Sequence, residues 1–564
     1  MFLIAGGCSD DRDLVQKIQA KRQQRVQSQT KQDHLGEFAS LLSRFVELNP
    51  DQAKRQIVYH LNQWNESKSF DETTTTEMVS TVSEVLSKEK IAERIEPLGF
   101  SATDIGHLRD AYLFQQVVQW VDVEAQDDPL LEDWFVDLEK EIGEETCSRL
   151  RTANRLFDWT IRNIAFEPLV LTDSAPPAPK FSLGMTFRGA GYRQTDYQTL
   201  WRGTGDSLQR SGVFTQLCRQ AGIPAFVLAT QSTDTGELDP WCVGVLIGKE
   251  IYLFEPELST HVAIPNQPGI ATLAQARKDA AVMRRLSVPG FFDYSKSKSD
   301  IQQSIALLNV SPEAICGRMK NLESGLTGNR RMKIYVDTDS LAEQIDAVPG
   351  VAGVRLWDIP LLAEVYEEEL NRSIERDPLL MFWQMSRWAF LESPLDESKD
   401  LALGRWQHLH GRFVNDDEAD FKGARVIYLR QRKPEFEIED LRIDVDLQRA
   451  YGIRRTLGVD AKTYDLQVQQ AQKMMRRGKQ TATYWISLIQ FDDQRFDTAK
   501  TWFSKRVLEI DRNTPWEAAA RYNLARALER TGENKEAIEL YKTDGDPQEH
   551  GNRIRARLVA QSEN

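Results

Sequence analysis

The chain has 564 residues, enough for about three or four domains, and 41% of them are hydrophobic, ample for well-formed cores. A formal charge of −14 argues against a nucleic-acid partner, which selects for a basic face. The run of roughly eighteen apolar residues needed to span a membrane is absent, and five scattered cysteines without a CxxC pair exclude a zinc ribbon.

The N-terminus reads MFLIAGGCSDD: a short apolar run, two small residues, then Cys8. This resembles the lipobox of bacterial lipoproteins, in which the cysteine becomes the lipidated N-terminus. The resemblance implies Cys8 as lipid anchor and a place in the cell envelope, facing periplasm or exterior. The alternative is a cytoplasmic protein with an incidental cysteine. Residues 1–30 form this N-terminus and a polar lead-in.

Residues 31–145 read as helical, with amphipathic segments at 36–48, 54–66, 77–95 and 104–122, the last capped by Ser101 or Thr103. The next helix, 146–163, puts Leu150, Ala153, Leu156, Phe157 and Ile161 on one face. The SAPPAP run at 174–179 cannot continue a helix and reads as a loop.

The stretch from 197 to 258 is the most informative. Asp206 or Ser207 can cap a helix that Gly222 closes and Pro224 ends, with Val213, Phe214, Leu217 and Ala221 as its buried face. Residues 225–230, 241–247 and 250–254 read as strands, the last two joined by a Gly248-Lys249 turn.

A helix leading through GIPA (222–225) into an antiparallel sheet resembles the transglutaminase-like family of the papain-type superfamily. The resemblance implies a domain over 146–290. The family's nucleophilic Cys lies fifteen residues before the glycine, where this chain has Ser207. Its His opens the next strand, where this chain has Asp239-Pro240-Trp241, and its acid falls on Glu255. A thiolate needs an imidazole base that the acid orients, so the degenerate positions Ser207, Trp241 and Glu255 imply a scaffold without its chemistry.

Each position also has a plain reading. Ser207 caps its helix, Trp241 packs, and Cys242 is core, as are Cys147, Cys218 and Cys316. Cys218 stands ~16 Å along the helix from Ser207 and cannot replace the nucleophile. His261 reads as a solvated loop residue.

Helices are expected at 271–286, 299–308 and 311–325, and strands at 332–337 and 353–359 around a short helix, so 291–398 is a mixed α/β linker. Beyond Pro360 the chain is helical again. Residues 482–511 and 516–545 resemble tetratricopeptide repeats, with Ser487, Ala499, Ala525 and Ala537 at small-residue positions and Gly532 at the turn. A degenerate third unit covers 399–430, within a helical region 399–564. Stacked hairpins leave a concave groove, which the resemblance implies is the surface for a protein or peptide partner. His408 and His410, two apart on a helix, diverge and cannot chelate one metal. With no HExxH, phosphate loop or GxGxxG, no metal and no cofactor is expected.

The expectation is therefore a mostly helical α+β chain acting as a non-catalytic protein- or peptide-binding scaffold of the bacterial cell envelope. The alternative is an acyl-transfer enzyme of transglutaminase or protease type that uses substituted residues.

Overall fold

The computed structural model describes residues 33–66, 88–167, 191–232, 236–377, 380, 399–418, 421–450, 453, 460–510 and 514–563. Cys8 and its lead-in, the first part of the 77–95 helix and the 174–179 loop lie outside them. The described residues fall into two compact units, one within Met1–Ser69 and Gly99–Ile105, the other in the remainder.

The first unit is a helical hairpin. His34–Ser43 (α1) starts where the Asp33 carboxylate accepts from the Gly36 N–H at 2.9 Å, and Pro50–Asn65 (α2) starts at the Asn49 cap. Phe38 and Leu42 on α1, and Ala53, Ile57 and Leu61 on α2, recur at spacing four and bury one stripe of each helix. The Asn62 side chain makes two hydrogen bonds to the Phe100 backbone, at 2.8 and 2.9 Å.

The second unit is a mostly helical α+β assembly around one six-stranded sheet. Asp104–Glu124 (α3) and Glu144–Asn163 (α4) precede a two-residue strand, Ala165–Phe166 (β1), which pairs in parallel with Thr204–Gly205 (β2). That pairing ties the end of α4 to the start of Ser207–Gln220 (α5). The sheet is Ala225–Gln231 (β3), Leu238–Ile247 (β4), Glu250–Glu255 (β5), Thr260–His261 (β6), Ser304–Leu308 (β7) and Val351–Leu356 (β8), in spatial order β6-β5-β4-β3-β7-β8. All pairs are antiparallel except β7–β8. Phe157 of α4, Phe214 of α5 and Phe254 of β5 form a triangle with ring centroids 5.0–5.3 Å apart, joining both helices to the sheet.

Three expected elements differ. The helix expected at 299–308 is strand β7 from Ser304 onward. All five of its residues are buried between β3 and β8, so the apolar run has no alternation to separate it from a buried helix. The strand expected at 332–337 is not one. The Ile334 and Tyr335 N–H groups donate to the Glu323 carboxylate, both at 2.9 Å, instead of to a neighbouring strand. The helix expected at 271–286 breaks at Asp279, which is extended and caps Ala280–Arg284 through the Ala281 N–H.

Helices Lys399–Leu409 and Ala424–Gln431 form a hairpin whose close approach requires Gly404, since a Cβ there would lie 2.4 Å from the Tyr428 ring. Ala461–Asp492 (α6), a helical segment over Phe496–Thr501 and Trp502–Ile510, Glu517–Arg530 (α7), Asn534–Tyr541 (α8) and Glu549–Ser562 (α9) follow. Ser487, Ala499, Ala525 and Ala537 are fully buried where these helices meet. One face of α6, α7 and α9 packs on α4 and the segment before it. The Asn523 side chain donates to the Arg162 carbonyl at 3.1 Å, and Arg162 pairs with Asp492 at 2.6 Å. Arg526 pairs with Asp158, and Arg555 with Asp128, both at 2.5 Å.

Candidate functional site

The start of α5 is set by Asp206. Its carboxylate accepts from the Gln209 N–H, while the Gln209 side chain accepts from the Asp206 N–H, both at 3.0 Å. Asp206 is therefore the cap, and Ser207, expected to cap, is the first helical residue. Its carbonyl accepts from the Ser211 hydroxyl at 2.7 Å. At the far end Gly222 closes the helix with φ +70°, a conformation that glycine adopts without strain.

The strand register brings the other two positions to the same place. Cys242 pairs with Leu228 and Pro240 with Ala229, so Trp241 is the extra residue of a β-bulge. Bulges re-aim side chains. The Trp241 indole is 3% exposed, and its Nε1 has no hydrogen-bond partner among the described residues. Glu255 ends β5. Its carboxylate accepts from the Glu257 N–H at 3.2 Å and from the Tyr294 hydroxyl. Ser207, Trp241 and Glu255, with Leu208, Ser211 and Val227, line one narrow cleft. Three positions chosen along 49 residues of sequence thus converge on one space.

Nothing in the sequence signals Tyr294 and Lys296. Both come from the loop after Ala280–Arg284. Lys296 donates to the Thr230 hydroxyl at 2.8 Å and pairs with Asp239, so the loop is strapped to the rim at two points. No local spacing connects these residues to partners 39 and 57 positions away.

The imidazoles lie elsewhere. His261, expected on a solvated loop, is a buried residue of β6. It stands opposite Phe254, and because side chains alternate along a strand it faces away from Glu255. Burial pushes its pKa down to about 4, against the opposing pull of Asp128. His408 reaches Asp492 at 3.5 Å while His410 reaches the Trp406 carbonyl at 2.7 Å. Among the described residues no cluster of three or more His, Cys, Asp and Glu could hold a metal ion. Cys147, Cys218, Cys242 and Cys316 are buried and form no disulfide with one another, and burial pushes the Cys218 thiol far above its ordinary range.

A second small cavity lies between the C-terminal helices and the core, with Arg210, Asn523 and Gln548 in its lining. The Arg210 guanidinium donates to the carbonyls of Ile164 and Pro256, the Ser259 hydroxyl and the Gln548 side chain. Burial lowers its pKa to about 9. Those hydrogen bonds fasten α5 to α9.

No family model, no curated protein and no solved structure matches this chain.

Proposed function

We propose that the chain is a non-catalytic protein- or peptide-binding scaffold of the bacterial cell envelope, built on a transglutaminase-like domain with a vacated catalytic site. One observation carries this reading. Ser207, Trp241 and Glu255 share a cleft, and its described lining contains no imidazole to activate the serine hydroxyl. On this reading Trp241 stands where the family's base would be, and its buried indole fills that place.

On the same reading the C-terminal helices are tetratricopeptide-like hairpins. The face that carries Asn523 and Arg526 is engaged with α4, so this part of the array acts as a brace, and any partner groove is what remains outside it. Cys8 supplies the lipid anchor. The mass of the N-terminal peptide from the native host tests this point: a lipidated Cys8 is expected, and an unprocessed Met1 would remove the anchor.

Labelling the folded chain with a fluorophosphonate and, separately, with iodoacetamide at neutral pH tests the absence of chemistry. Ser207, Cys218 and Cys242 are expected to react no faster than in the unfolded chain. Fast labelling of any one of them, lost on denaturation, would establish the acyl-transfer enzyme instead.

A further inference from the structure

The helical hairpin of the first unit brings two imidazoles together. His34 opens α1 and His60 lies in the last turns of α2, and their Nδ1 atoms are 3.1 Å apart. The rings sit 5.4 Å apart at 46°, and the Tyr59 ring meets each of them edge-on. Both histidines are half-buried. Burial lowers the pKa of His60, and His34 beside it lowers it further, with Glu37 opposing.

We infer that His34 and His60 form a divalent-metal site that clips α1 to α2, for an ion of the imidazole-preferring class: zinc, copper or nickel. In a tetrahedral site with metal–nitrogen bonds of about 2.0–2.1 Å, two imidazole nitrogens stand roughly 3.3 Å apart. The observed separation meets that requirement with almost no movement of either helix. In the metal-free pair one Nδ1 carries the proton and the other accepts it. Moving that proton to Nε2 of the same ring frees both lone pairs with no net proton release. Glu37, one turn after His34, is exposed and adds negative potential near His60. No third protein ligand is in place among the described residues, so water completes the coordination sphere. The site is independent of the cleft and of the function proposed for it.

The test uses the full chain without an affinity tag. Zinc is titrated in competition with a chromogenic chelator, and copper loading is followed by electron paramagnetic resonance. One equivalent of zinc is expected, with nitrogen hyperfine structure on the copper signal. His34→Gln and His60→Gln are each expected to weaken zinc binding on the order of tenfold or more. A second readout needs no variant: diethyl pyrocarbonate modifies His34 and His60 in the metal-free protein, and zinc protects both while leaving His550 reactive. If neither substitution changes zinc affinity, or zinc fails to protect the pair, the two rings form a packing contact and the site does not exist.

Discussion

Asp206 and Ser207 are adjacent, yet their side chains have separate tasks. Asp206 is 2% exposed and joined to Gln209 by two hydrogen bonds, so Asp206→Ala leaves a buried N–H without its acceptor. Loss of such a cap costs about 1–2 kcal/mol. Ser207 lines the cleft without capping the helix, and Ser207→Ala should cost less than about 0.5 kcal/mol. Urea denaturation of the two variants measures the contrast. Equal losses would mean that the cap has been misassigned.

At the scale of elements, what was legible depended on how each segment meets its surroundings. Helix α5 and the β4–β5 hairpin could be read because their ends carry local chemistry: Asp206 and Gly222 on the helix, Gly248 at φ +63° in the turn. Strand β7 could not, because burial on both faces erases the two-residue period. Only the last third of the long α6 carries the small-residue pattern of the repeat resemblance, so the sequence does not mark where the helix begins. The cleft was legible in its three strand and helix positions but not in its strap, whose residues act through tertiary contacts alone. Gly244 shows how tightly the sheet is packed. A Cβ there would lie 2.7 Å from Ile251 Cγ2, 3.1 Å from the Phe226 ring and 3.2 Å from Leu228 Cδ1. Gly244→Val therefore forces side chains out of their rotamers, at about 1–3 kcal/mol. The readout is the denaturation midpoint at unchanged slope. A neutral result would mean that the β3–β4–β5 face has room to spare.

At the scale of the whole second unit, buried ionisable groups make stability depend on pH. Burial alone would raise the carboxyls of Asp158 and Asp128. The guanidiniums of Arg526 and Arg162 around the first, and of Arg555 and Arg526 around the second, outweigh it and hold both below the ordinary carboxylate range. Their contribution is present above the unfolded carboxylate pKa of about 3.9 and is lost only as pH falls below it. Three buried histidines act in a different window. Burial pushes His261 and His408 down to about 4 and His410 down to about 3. His261 faces Asp128, Arg555 and Arg526, while His408 faces Asp492, Arg405 and Arg162. His410 meets the Trp406 carbonyl and the Tyr112 hydroxyl and lies near Arg412. In the unfolded chain each histidine takes up a proton near pH 6.5, while the folded chain stays neutral until about pH 4, so the unfolded state binds more protons across that interval. Stability therefore falls as pH drops through it. Between pH 7 and pH 5 the three histidines together should remove on the order of 5 kcal/mol. Urea midpoints at pH 7, 6 and 5 measure the slope; the Asp196 carboxyl, which burial raises to about 6, offsets part of it, and His408→Gln should remove about a third of the contribution of these three histidines. A slope that His408→Gln leaves unchanged would mean that this imidazole can be protonated without unfolding, and that the core around it is open to water.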